Sequence, residues 1–286
     1  MDHRPPPPSG TWPSLVRWAT SVLADAGVAS PQADATWLAC HRAGGTPAAL
    51  VTAPPPAGAA RDGFAADVAR RTTREPLQHI IGTAPFRTVT LAVGPGVFVP
   101  RPETELVAGW AVDAAQAAGP APVVADLCTG SGAIALAVAH EVPDAVVHAV
   151  EADAEAAAWA QRNLAGSGVH LHREAARDCL SGLDGGVDVV VANPPYIPRD
   201  AVIRDPEVAR WDPPAALWGG VDGLDVVRDV VAAARRLLRT GGTVVIEHAD
   251  LQGDAVPRLL LGAEWSDVAD HSDLAGRPRF TTARRA

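Results

Sequence analysis

The chain has 286 residues, a net charge of −9, 48% hydrophobic residues and no lysine at all, a size that suits one α/β domain with a small appendage. The missing lysine excludes a Walker-type phosphate loop and Schiff-base chemistry, and the acidic balance argues against a protein whose main work is gripping nucleic acid. No apolar run approaches the roughly 18 residues that cross a bilayer, and no basic-then-apolar leader opens the chain, so a cytoplasmic protein without direct nucleic-acid or membrane contact is expected.

A Pro-rich tail over residues 1–10 has nothing to pack and is expected to be disordered. Helices follow. Leu15, Trp18, Ala19 and Val22 mark an apolar face between Pro13 and Ala26, stopped by Gly27; Ser30-Pro31 opens a second helix that ends before Gly44-Gly45. A short segment from Pro47 to Val51 precedes the Pro54-Pro55-Pro56 break, and a third helix runs from about Ala57 to Arg71. Residues 11–75 thus form a helical unit, expected to dock a macromolecular substrate, with Arg17 and Arg42 as exposed candidates for contact. From Leu77 to Val93 the alternating, β-branched pattern with Gly82 at a turn predicts a hairpin within a linker over 76–100.

The remainder, 101–286, alternates strand and helix: strands at Val123–Leu127, Ala145–Val150, Val169–His172, Val187–Ala192 and Thr243–Glu247, helices at Ala133–His140, Ala154–Leu164 and Leu224–Leu238. That rhythm predicts a doubly wound, mostly parallel sheet. Leu251–Leu261 reads as helix, and Trp265–Ala269 with Arg279–Ala283 as a terminal strand pair. The three cysteines, Cys40, Cys128 and Cys179, are odd in number and far apart, which argues against both a disulfide framework and a zinc site, and the nine histidines show no metal-ligand spacing.

Two stretches carry candidate chemistry. Asp126-Leu127-Cys128-Thr129-Gly130-Ser131-Gly132 ends the first strand and opens a helix, where small residues let a ligand approach the backbone. Glu151 ends the second strand, the place from which a carboxylate accepts hydrogen bonds from a ribose diol. Together they point to a nucleoside-bearing cofactor, NAD included, since Gly130 to Ala135 also fits G-x-G-x-x-A. The other stretch is Asn193-Pro194-Pro195-Tyr196 after the fourth strand. Its prolines keep the carbonyls of Asn193 and Pro194 out of any helix or ladder. An Asn side-chain oxygen beside a free carbonyl offers two acceptors to a planar –NH2 group, and Tyr196 offers a flat wall. Taken alone, the tetrapeptide fits a Pro-rich turn with a buried tyrosine equally well. The first and fourth strands are neighbours where such a sheet reverses, which puts both stretches at one crevice.

With Asn193 to Tyr196 standing behind Asp126 to Gly132, the chain resembles the class I, S-adenosylmethionine-dependent amino-methyltransferases. Glu75 to Gly82, Phe98-Val99-Pro100-Arg101-Pro102-Glu103-Thr104-Glu105 and Ala216 to Leu224 resemble one branch of these, the peptide chain release factor glutamine methyltransferases, over nearly everything from Trp18 onward. The resemblance implies a Rossmann-like methyltransferase fold behind a helical N-terminal domain, S-adenosylmethionine as cofactor, and methylation of the glutamine side chain in the Gly-Gly-Gln motif of release factors as protein substrate. It assigns the cofactor to Asp126, Cys128, Thr129, Gly130, Ser131, Gly132, Glu151, Cys179 and Asn193, and the substrate amide to Asn193, Pro194, Pro195, Tyr196 and Phe98, with Asn193, Pro194 and Tyr196 catalytic and no metal. Cys128 stands where the branch has the first glycine of its loop; if that position needs φ > 0, the strain is about 1 kcal/mol or more, and cofactor affinity is what it would touch. The insert from Ile197 to Gly220, with Trp211 and Trp218, reads either as a cover for the crevice or as packed loop. Other readings are an adenine methyltransferase acting on nucleic acid through the same tetrapeptide, an NAD-dependent oxidoreductase, and a non-catalytic cofactor-binding protein.

Overall fold

The computed structural model describes residues 10–286; the expected tail lies outside them except for Gly10. In chain order the elements are α1 (Trp12–Asp25), α2 (Pro31–Ala43), α3 (Ala59–Thr72), α4 (Leu77–Ile81), the hairpin β1 (Thr83–Phe86) and β2 (Val89–Ala92), α5 (Thr104–Ala117), β3 (Val123–Leu127), α6 (Ala133–Glu141), β4 (Val146–Val150), α7 (Ala154–Asn163), β5 (His170–His172), β6 (Val187–Ala192), α8 (Pro206–Trp211), α9 (Asp225–Leu237), β7 (Leu238–Glu247), α10 (Ala255–Leu259), β8 (Trp265–Ser272) and β9 (Pro278–Arg285). They form two units. One comprises the chain up to Gly82 together with Ile203–Trp211; the other comprises 83–202 and 212–286.

The first unit is helical. Trp12, Leu15, Leu38, Phe64 and Val68 share its core, with Trp12 meeting the edge of Phe64 at 5.8 Å between ring centroids. Arg71, 4% exposed, donates to Asp34 at 2.7 Å, to the Glu75 carbonyl at 2.9 Å and to Glu207 of α8 at 2.7 Å. Glu207 also receives Arg74 at 3.0 Å. A buried guanidinium without carboxylates would be strongly destabilising, so α8, from the insert after the tetrapeptide, belongs structurally to this unit. Arg17 and Arg42 are both exposed, and Arg42 is also held by Asp67 through two bonds of 2.6 and 2.7 Å.

The unit boundary differs from the sequence reading in two respects. Leu77–Ile81 is a helical turn, closed by Gly82 at φ 83 as its left-handed cap, so the hairpin starts only at Thr83 and turns at Arg87-Thr88. That hairpin is no linker, because Ala84, Phe86, Leu91 and Val93 are buried in the core of the second unit.

The second unit carries a seven-stranded sheet of order β5-β4-β3-β6-β7-β9-β8. β3 runs parallel to both β4 and β6, and β9 returns antiparallel to β7. This is the doubly wound arrangement with a terminal antiparallel pair that the alternation implied. β6 is buried over Val187 and Val189–Ala192 because helices cover both faces. On one face α9 turns Val227, Val230, Ala233, Ala234 and Leu237 inward at helical spacing. The expected helix over Leu251–Leu261 is instead a 3-10 turn at Asp250–Gln252 followed by α10. Because β3 and β6 are neighbours and lead in opposite directions across the sheet, the chain reverses there, and a crevice opens beyond their carboxyl ends.

Candidate active site

The glycine loop leaves β3 and is braced rather than free. Asp126, fully buried, accepts from the Thr129 hydroxyl at 2.5 Å and from the Ala135 amide at 3.0 Å, and burial pushes its carboxyl up to about 7. Thr129 donates its amide to Val150 of β4 at 3.0 Å. At the tip, Gly130 has φ 57 and a Cβ placed there would meet no atom within 4 Å, so the backbone faces open space. Its amide donates to Glu151 Oε2 at 2.8 Å, while Oε1 accepts from the Asp153 amide at 2.8 Å. Each carboxylate oxygen keeps a lone pair for a ligand. Burial raises the Glu151 carboxyl, and the two backbone amides oppose that rise.

Cys128 adopts φ 62. The left-handed backbone that its position raised as a condition is present, and a side chain there carries about 1 kcal/mol of strain or more.

Across the crevice, β6 ends in the tetrapeptide. Asn193, Pro195 and Tyr196 are half-buried and Pro194 is buried. Asn193 Nδ2 donates to the Thr104 hydroxyl of α5 at 3.2 Å. Among the described residues nothing in the chain donates to Asn193 Oδ1 or to the Pro194 carbonyl, whereas the Tyr196 carbonyl accepts from Gln252 Nε2 at 3.1 Å. The backbone is cast closely from behind: a Cβ at Gly223 would lie 2.3 Å from the Tyr196 carbonyl, and one at Gly219 2.6 Å from that of Pro195. The Tyr196 hydroxyl lies 3.5 Å from Glu247 Oε1. Phe98 is half-buried with the Arg101 guanidinium 4.8 Å above its ring, and Arg101 is anchored by Asp212 at 2.6 Å.

Comparison with known proteins falls in line with this geometry. Residues 14–82 match the PrmC N-terminal domain model and residues 112–205 the methyltransferase small domain model. A Streptomyces coelicolor protein named release factor glutamine methyltransferase is 53% identical over 95% of this chain and 97% of its own length. The chain belongs to the release factor glutamine methyltransferases. A Streptomyces pristinaespiralis protein named 4-amino-L-phenylalanine/4-methylamino-L-phenylalanine methyltransferase is also similar, at 40% identity over 88% of each chain. A solved Thermus thermophilus 16S rRNA methyltransferase, in complex with AdoMet and guanosine, shares the fold at 20% identity and a TM-score of 0.51, covering 71% of this chain and 50% of its own. No helix among the described residues is long and apolar enough to cross a membrane.

Within this family member the structure gathers Thr129, Gly130, Ser131, Gly132 and Glu151 on the β3–β4 side and Asn193 to Tyr196 on the β6 side. It does not bring the Cys179 side chain to the crevice surface. That thiol is 0% exposed, packs among the residues under α9 and donates to the Ala176 carbonyl at 3.0 Å. Asp126 is likewise withdrawn, with its bonds directed into the loop. Sequence reasoning assigned no role to Thr104, Gln252 or Glu247, which all face the tetrapeptide. A legible signal existed for one of them: Glu247 is an acid terminating the apolar run Val244-Val245-Ile246 at the crevice end of a parallel strand.

Proposed function

We propose that this chain transfers a methyl group from S-adenosylmethionine to the side-chain amide nitrogen of the glutamine in the Gly-Gly-Gln motif of peptide chain release factors. The observation that carries the reading is the pair of unclaimed acceptors, Asn193 Oδ1 and the Pro194 carbonyl, left free because Asn193 spends its Nδ2 on Thr104. The name of the 53% identical relative supports the same reading.

The residues present fit the cofactor. The open left-handed tip at Gly130 gives room for backbone approach, and Glu151 is fixed by two amides with acceptor capacity to spare for a ribose diol. Thr129, Ser131 and Gly132 would complete the cradle with Cys128. S-adenosylmethionine, when bound, supplies an electrophilic methyl group.

An amide nitrogen is a poor nucleophile because its lone pair is shared with its carbonyl. Asn193 Oδ1 and the Pro194 oxygen would take its two hydrogens, aim the nitrogen and stabilise the positive charge that develops on it. Tyr196 and Phe98 would flank the planar group. No strong base is needed before methyl transfer, since the proton is lost from the charged product.

A lone glutamine side chain offers too few contacts to single out a release factor, so selectivity must come from remote surface. The helical unit supplies such surface; Trp37 on α2 is 52% exposed and Arg17 is exposed and makes no ion pair among the described residues. The deciding experiment is mass spectrometry of a purified release factor after incubation with the protein and S-adenosylmethionine, with a Gly-Gly-Gln peptide, 4-amino-L-phenylalanine and an adenine-containing oligonucleotide in parallel. The expected result is one methyl on the motif glutamine, made far more efficiently on the folded factor than on the peptide. Methylation of the aromatic amine or of the oligonucleotide alone would overturn the reading. Equal efficiency on peptide and folded factor would remove the docking role.

A further inference from the structure

Two stretches of the second unit hold the tetrapeptide from behind, and neither enters the reaction as described so far. Glu247, 2% exposed, ends β7 with Oε1 near the Tyr196 hydroxyl, while Oε2 has no hydrogen-bond partner among the described residues. Burial raises its carboxyl, and the neighbouring Thr104 hydroxyl opposes that rise. A hydroxyl has one hydrogen. Thr104 accepts from Asn193 Nδ2 at 3.2 Å, an arrangement that fits its own hydrogen turned to Glu247 and leaves the Asn193 oxygen to the crevice.

Gln252 closes the other end. Its Oε1 accepts from the Ala249 amide at 3.0 Å, which leaves Nε2 as the group facing the Tyr196 carbonyl at 3.1 Å. A Cβ at Gly223 would lie 2.9 Å from that same Nε2, so Gly223 packs directly against the glutamine's amide. Tyr196 is thus held through its carbonyl by Gln252 and faced at its hydroxyl by Glu247.

We propose that Glu247 and Gln252 are positioning residues for methyl transfer: Glu247 acts through Thr104 and Tyr196, Gln252 through the Tyr196 carbonyl, and together they keep Asn193 Oδ1 and the Pro194 carbonyl turned toward the substrate amide. The inference rests on the amide-methylation reading above. Since both residues work on orientation at the reacting nitrogen and not on the cofactor cradle, their loss falls on kcat and spares cofactor affinity.

The test measures kcat and KM on a purified release factor, cofactor affinity by calorimetry, and the phenol titration of Tyr196, the one tyrosine of the chain. Gln252→Glu keeps the shape and the bond from Ala249 but cannot donate to Tyr196; it is expected to lower kcat about 10- to 100-fold with the cofactor Kd within about 3-fold. Glu247→Ala is expected to do the same, and Glu247→Gln, which retains an acceptor oxygen for Thr104, to recover about 10-fold of that loss. Combining Glu247→Ala with Thr104→Val should cost less than the sum of the two singles, because Glu247 acts in part through Thr104. The groups facing the Tyr196 phenol are Glu247, Arg279, Glu103 and Arg101; burial raises its pKa first and the Glu247 carboxylate next, so in Glu247→Gln it should titrate at lower pH. A kcat within about 3-fold of wild type in both Glu247→Ala and Gln252→Glu would overturn the proposal, as would a matching rise in cofactor Kd. Should Glu247→Ala fail to fold, the shape-preserving Gln252→Glu and Thr104→Val decide in the same way. Failure of the wild-type protein to methylate the release factor removes the amide-methylation reading itself; undiminished variants beside an active wild type remove only the positioning roles.

Discussion

Gly130 donates its amide hydrogen to Glu151 Oε2 at 2.8 Å across 21 positions of sequence, so the tip of the glycine loop and the end of β4 are a single piece of structure. Glu151→Ala should therefore remove both a ligand acceptor and the fastening of the loop. Loss of a charge-assisted bond costs about 1.5–3 kcal/mol, and S-adenosylmethionine should bind roughly 10- to 150-fold more weakly by calorimetry. An unchanged Kd would detach Glu151 from the cofactor.

Asn193→Ala is expected to leave cofactor affinity within several-fold and to lower turnover by about 100-fold or more, as for removal of one oriented donor or acceptor at the transition state. Initial rates on a folded release factor at saturating cofactor measure it. Normal turnover would refute the two-acceptor clamp.

At Cys128 the left-handed backbone makes side-chain shape the variable. Relief of strain in Cys128→Gly is offset by the greater freedom of glycine in the unfolded chain, so its Tm should stay within about 3 °C of wild type. Cys128→Val puts a β-branched residue at φ 62 and should lower Tm by about 2–4 °C for each kcal/mol of added strain, to a value below that of Cys128→Gly. Equal melting of the two variants in calorimetric scans would count against the backbone conformation.

Glu247 and Asp126 each have a carboxyl pushed by burial to about 7, from ordinary values of 4.5 and 3.8. The folded chain therefore holds protons that the unfolded chain releases, and stability falls as pH rises from about 4 to about 7, with the penalty absent below that window and complete above it. Asp273 works in the other sense: backbone and Arg277 hydrogen bonds bring it to about 2, so its contribution is present above about 4 and is lost as pH falls toward 2. Glu247→Gln should flatten the decline between pH 5 and 8 by up to about 3 kcal/mol. Urea midpoints at those two pH values, for wild type and variant, measure it; an unaltered difference would mean that Glu247 is not the buried acid responsible.

Much of the sheet was legible because β3 and β6 are short β-branched runs with abrupt ends, and their boundaries at Val123–Leu127 and Val187–Ala192 coincide with the sequence reading. Gly82 misled for a physical reason: the same left-handed glycine serves a hairpin turn and a helix cap, and only the four-residue return of the chain onto Gln78 distinguishes them. The partners of Asn193 were out of reach because Thr104 lies 89 residues away in sequence, and no local pattern encodes such a pairing. The cofactor role that the resemblance gave Cys179 could not foresee that its side chain is buried under α9, which is a matter of packing. The membership of residues 203–211 in the helical unit was hidden too, since it depends on Glu207 meeting arginines more than 130 positions away.

That membership bears on how such a protein could be recombined. The PrmC N-terminal domain match stops at residue 82, yet Arg71 and Arg74 are answered by Glu207, which lies two positions past the end of the methyltransferase small domain match at 112–205. A chimera spliced at a single junction near Gly82 would carry one parent's arginines opposite the other parent's return segment, and a buried guanidinium tolerates no such mismatch. Exchange of the helical unit between relatives therefore requires residues 203–211 to travel with the chain up to Gly82, so the gene offers no single crossover point at which that unit could be traded independently of the sheet.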